Sequence, residues 1–121
     1  MKIAYFEAGL LLDYWVGTAQ GLQVEIVAPH GAGSEMCVIE NGEAFSPSTN
    51  WAQGGPIIDR EKIDLVHDFG RWMGKHGRRD DYSRPDVSPL VAAMRSYLMW
   101  EYGDELPVVG GGAPDLSEPD M

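Results

Sequence analysis

The chain has 121 residues, 44% of them apolar, with four tryptophans, one cysteine and a formal charge of -10. That length suits a single globular domain, the composition excludes a disordered polymer, and a lone Cys37 excludes an internal disulfide and suits a reducing compartment. Glu7 and Asp13 interrupt the apolar N-terminus, and no stretch nears the roughly 18 apolar residues of a bilayer span, so the sequence predicts a soluble, unexported protein that does not enter a membrane.

Residues 10–20 place Leu12, Trp15, Val16 and Ala19 on one helical face, and Gly21 supplies a stop. Residues 22–28 alternate as a half-buried strand does, and 29–34 read as a flexible connection. A second strand over 36–40 runs into Asn41-Gly42, a pair that suits a type I′ hairpin turn, with 43–45 returning as a short partner. Pro56 predicts a short helical turn through Lys62, because a first-position proline loses no needed hydrogen bond. Residues 63–69 alternate again. The polar stretch 70–86 reads as a mobile loop anchored by Trp72. Ser88-Pro89 predicts an N-cap and first helical residue, with the helix running to Tyr102 before Gly103. Leu90, Met94 and Tyr97 trace its apolar stripe. The expected globule covers 1–106, and 107–121 reads as a disordered acidic tail because glycine, proline and acids there leave little apolar surface to offset ordering entropy. The expected class is α+β: two main helices packed on a small, mainly antiparallel sheet.

Three of these segments resemble the phage NinX-like family of small proteins encoded by tailed phages and prophages. They are LLDYWVGTAQG (11–21), FSPSTNWAQGGPIIDR (45–60) and SPLVAAMRSYLMWEYG (88–103), in the same order and with similar spacing. Asn50 stands where an aspartate is common in such sequences, and GKHGRRDDYSRPD (74–86) has no counterpart in the likeness. The resemblance implies an accessory protein working in the cytoplasm of the bacterial host; it implies no reaction.

The central segment 45–60, whose hydroxyls, amide and Gly-Gly-Pro break lack the periodicity of a long helix or strand, reads as an irregular loop and is the expected working surface. Ser48, Thr49, Asn50 and Gln53 offer donors and acceptors, Trp51 a stacking face, and Gly54-Gly55 close backbone approach. A structural reading stands beside this one: Ser48 or Asn50 caps a turn, Trp51 fills the core and Gly54-Gly55 reverses the chain. Arg60 fits either an anion clamp or a local ion pair.

No catalytic residue is assigned, since the signatures of serine nucleophiles, phosphate loops and dinucleotide folds are absent. No metal is expected, because Cys37, His30, His67 and His76 lack the short paired spacings of zinc ligands. No cofactor is expected either. The acidic field opposes nucleic-acid phosphates. Arg71, Lys75, Arg78, Arg79 and Arg84 form a local basic segment that Asp80 and Asp81 partly neutralise, read as a solvated loop. The leading expectation is a non-catalytic module that binds a host or phage protein, with self-association left open. The alternative is a small-molecule-binding protein or enzyme with a pocket floored by Trp51 and walled by Thr49, Asn50, Gln53 and Arg60. Mimicry of DNA by the carboxylates is a third.

Overall fold

The helix α3 (Pro89–Tyr102) is the most enclosed element, with ten consecutive residues of it, Leu90 to Met99, buried. The computed structural model describes residues 2–27 and 35–106; the expected connection 29–34 and the tail 107–121 lie outside the described residues. Ser88 caps α3 as its sequence predicts, its hydroxyl accepting the Val91 N–H at 3.2 Å, with Pro89 in the first turn and Gly103 at the far end. Arg95 and Ser96 are buried within it.

The helix α1 (Leu10–Ala19) lies against α3. Its Trp15 meets Tyr102 edge-on at 5.6 Å and Tyr14 at 5.7 Å, an arrangement the ring quadrupoles favour. The strands β1 (Glu25–Val27) and β2 (Met36–Val38) form an antiparallel pair in which Ile26 faces Cys37. Both are shorter than their alternation suggests. Asn41-Gly42 does form the following turn, but only Gly42 has positive φ, and the Asn41 side chain accepts the Glu43 N–H at 2.8 Å. The chain then returns through a single bridge, Val38 to Ala44.

Two expectations are corrected. The segment 45–60 is not a loop: residues from Trp51 on form the helix α2 (Trp51–Glu61), and Pro56 sits inside it instead of opening it. The N-cap is Asn50, whose side chain accepts the Ala52 N–H at 2.9 Å. The proline is tolerated because the bond it removes would go to Ala52, an exposed residue of the first turn. The segment 70–86 is not a loop throughout either. It opens with the strand β4 (Arg71–Lys75), paired antiparallel with β3 (Asp64–Asp68). The turn joining them holds Phe69 at φ 52° and Gly70 at φ 76°, the two positive values of a type I′ hairpin. The class is α+β, with three α-helices and, in place of one sheet, two separate two-stranded antiparallel sheets among the described residues.

β4 lies on α3, with Leu65 and Gly74 opposite each other on the inner face. A Cβ at Gly74 would stand 2.7 Å from the Ala92 carbonyl oxygen. A Cβ at Gly54 would stand 2.5 Å from the Pro47 carbonyl oxygen and 2.6 Å from Leu90. Neither neighbour is a flexible side-chain end that yields cheaply, except the Leu90 methyl. Gly54→Ala and Gly74→Ala are each expected to cost about 1–3 kcal/mol through overpacking, measured as the loss of unfolding free energy in urea.

Candidate functional site

The central segment folds with most of its polar groups turned inward. Ser48 is buried. Its N–H donates to Asp13 Oδ1 at 2.8 Å, and its hydroxyl accepts the Gly9 N–H at 3.0 Å. Asn50 is occupied as the cap. Gln53 bridges the chain on both sides, accepting the Ser46 N–H at 2.7 Å and donating to the Ala44 carbonyl at 2.8 Å. Gly54 is filled by close packing, while nothing lies near the place of a Gly55 Cβ. Thr49 is exposed and its hydroxyl donates to the Ser46 carbonyl at 3.4 Å. Trp51 is 54% exposed, so it does not fill the core.

Arg60 lies nine residues beyond Trp51 on the same helix, about 13 Å along the axis at 1.5 Å per residue. The eight predicted site residues are therefore not one cluster. Ser48, Asn50, Gln53 and Gly54 brace the start of α2, Trp51 projects from it beside Thr49, and Arg60 belongs to the other end.

At that end the structure assembles residues that the sequence left scattered. A recess of about 430 Å³ is lined by Arg60, Glu61, Lys62, His76, Gly77, Arg78 and Trp100. The α2 terminus provides the first three, with Lys62 as its left-handed cap. The chain after β4 provides the next three, and the end of α3 provides the indole. His76 is only 3% exposed, stacked on Trp100 at 4.6 Å with ring planes 9° apart. Its Nδ1 accepts the Arg78 N–H at 3.1 Å. In the neutral ring that leaves Nε2 to donate to Glu61 Oε1, 2.9 Å away. Both ring nitrogens are thus engaged in holding the chain. The Arg78 guanidinium lies 5.9 Å from the centre of the Trp100 ring, within cation–π reach. The neighbouring Arg79 donates to the Met99 carbonyl at 2.8 Å and forms a two-pronged pair with Asp81, which raises its pKa. From sequence only Arg60 of this group is a candidate site residue; Arg78 reads as part of a solvated basic segment and His76 as an isolated histidine, because α2, the chain after β4 and α3 bring together positions distant in the chain.

In sequence Asp13 is only an interruption of the apolar N-terminus; in the fold it is a strongly perturbed acid beneath the central segment. Burial pushes its carboxyl from the ordinary 3.8 up to about 6, against the lowering effect of its bonds from Ser48. The same burial, with Asp13 nearby, pushes the Cys37 thiol up to about 11. Because the folded protein holds the Asp13 proton more tightly than the unfolded chain does, this group's stabilising contribution is complete below about pH 3.8 and is lost as pH rises through about 6. The full loss is about 3 kcal/mol. Asp13→Asn keeps an acceptor for Ser48 and cannot ionise. Its stability relative to the parent is expected to climb between pH 4 and 7, and thermal melts of both proteins across that range measure it; parallel curves would contradict the assignment.

No curated protein matches the chain. Among the described residues no helix is long and apolar enough to cross a membrane. The family model described as Bacteriophage P22, NinX matches residues 8–101, a span that takes in α1, the braced start of α2, the recess and nearly all of α3. The chain belongs to that phage NinX family.

Proposed function

We propose that this protein is a phage accessory factor that works by binding a host or phage protein in the bacterial cytoplasm, not by catalysis, with Trp51 as the anchor of the contact. The observation that carries this reading is an indole 54% exposed in the first turn of a helix whose N-terminal support is fixed by the Asn50, Gln53 and Ser48 hydrogen bonds. A large ring carried on a braced backbone leaves little main-chain entropy to lose on docking, and such residues dominate binding energy at protein interfaces.

Supporting features lie at the same end of the molecule. Gly54 packs on Leu90, so the starts of α2 and α3 adjoin, and Val87, just before the Ser88 cap, is 72% exposed. β4 approaches this end too, through the Trp72–Asp86 bridge, which brings the Phe69 turn beyond it. Thr49 and Gly55 form the immediate surroundings of Trp51. The acidic balance of the chain favours a partner with a basic rim around an apolar pocket.

The test is affinity purification of the tagged protein from phage-infected cells, with Trp51→Ala alongside and the thermal stabilities of both compared. The expected result is a discrete partner whose affinity falls at least about 30-fold in the variant, the scale of an interface hot spot, with melting unchanged. A partner retained equally by both proteins would overturn the role of Trp51.

A further inference from the structure

We propose that the recess between the ends of α2 and α3 is a binding site for a nucleoside monophosphate, with the phosphate held by Arg60, Lys62 and Arg78 and the base laid against Trp100. The proposal concerns the end of the molecule opposite Trp51 and is independent of the protein-binding reading.

Charge is the first argument. The chain carries -10 overall, yet three cations line one recess with a single carboxylate, Glu61. That carboxylate is already engaged by His76 at 2.9 Å and by Arg60 at 3.5 Å. Lys62 is bound only loosely, 3.9 Å from an exposed Asp59. Arg78 makes no ion pair among the described residues; its guanidinium is held over an indole instead. In a protein with about twice as many acids as bases, an arginine without a carboxylate beside a concavity is a group prepared for an anion. Its planar fork suits a phosphate.

The second argument is the shape of the recess. About 430 Å³ lies within the range of small-ligand sites, roughly 300–1,000 Å³. Its lining is not purely cationic: Trp100 is partly exposed, and an indole offers a base a stacking surface whatever the base's hydrogen-bonding pattern. His76 stacks beneath Trp100 and is bonded to Glu61 and to the Arg78 backbone. It acts as a positioning residue that fixes the indole and the cation together. Gly77 completes the floor by close approach, since a Cβ there would lie 3.0 Å from the Lys62 carbonyl oxygen.

The electrostatics also argue for a small anion over a polymer. A small anion meets the three cations with only Glu61 and, beside Lys62, Asp59 against them, whereas a longer strand leaving the recess meets a chain of net charge -10.

Titration calorimetry with adenosine monophosphate, adenosine and inorganic phosphate separates the two halves of the site. The expected result is saturable binding of the monophosphate, with each half alone at least about tenfold weaker, and Arg78→Gln weaker by about tenfold or more, as loss of a charge-assisted contact implies. Arg71→Gln, a charge change on the hairpin, is expected to leave affinity unchanged. No saturation by the monophosphate up to about 5 mM, a Kd above that of the weakest useful ligands, would overturn the proposal. So would equal binding of phosphate alone, equal losses for Arg71→Gln and Arg78→Gln, or tighter binding of a single-stranded oligonucleotide than of the monophosphate.

Discussion

One buried guanidinium organises this fold. Arg95, in the middle of α3, is 4% exposed, and burial lowers its pKa, with Asp86 acting the other way. A charge removed from water costs several kcal/mol unless its donors are met. Here Nε donates to the Phe6 carbonyl at 2.6 Å, one terminal nitrogen to the Arg84 carbonyl at 3.3 Å, and the other stands 3.4 Å from Asp86. Those acceptors come from segments that otherwise have little reason to adjoin. Asp86 in turn accepts the Ser88 N–H at 2.9 Å and exchanges backbone bonds with Trp72 at 2.7 and 3.0 Å. The start of α3, the placement of the β3–β4 hairpin and the course of the N-terminal segment are thus coupled through one side chain.

The direction of the helices follows from that placement and explains the polarity of the molecule. Gly54 of α2 meets Leu90 of α3, and two turns later Arg60 and Glu61 share a recess with Tyr97. The two helices therefore run side by side in the same sense. Both N-termini fall at one end, capped by Asn50 and Ser88, and both C-termini fall at the other. Peptide dipoles make the second end negative, which favours cations there: Arg60 lies in the last turn of α2, and Arg79 binds the Met99 carbonyl of α3. Dipole compensation of this kind contributes about 0.3–1 kcal/mol per exposed charge. It accounts for Arg79, which touches a terminal carbonyl. It accounts less well for Arg78, which lies over Trp100 beside the recess.

What the sequence revealed depended on how local its cause was. The Ser88-Pro89 start and Gly103 end of α3 are written in adjacent residues, and so is the face of α1. The helix α2 was hidden because its inward positions, Gly54, Ile57, Ile58 and Glu61, include a glycine and an acid where a helical stripe ordinarily shows apolar side chains. Glycine there serves close packing, which no periodicity can register. β4 was hidden for a related reason: Trp72 and Gly74 face α3 through tertiary contact, and the turn before β4 uses Phe-Gly where asparagine or aspartate before glycine is the usual signal. Of the candidate site, the rigidity around Trp51 was legible only as a concentration of polar residues. A cap and a ligand contact require the same atoms, and only geometry distinguishes them. The recess beside Arg60 had no linear trace as a site, since Arg60, Glu61 and Lys62, the His76–Arg78 stretch and Trp100 lie in three separate parts of the chain.

Phe69 remains after the requirements of folding have been met. Its φ of 52° is the left-handed region, where a residue with a Cβ gives up about 1–2 kcal/mol relative to ordinary backbone, and its ring is 96% exposed. A type I′ turn needs positive φ at that position, which asparagine or glycine supplies with less strain. The hairpin gains no buried area from the phenyl ring, so neither backbone preference nor packing selects it. The same holds for the exposed indole of Trp51, whose helix would be capped by Asn50 with any residue following. Both lie toward the end where α2 and α3 begin, and stability alone gives a reason for neither. Strain and exposure of this kind are tolerated where a surface serves something outside the fold, which is the physical ground on which the proposed protein contact is put at this end and not along the charged flanks.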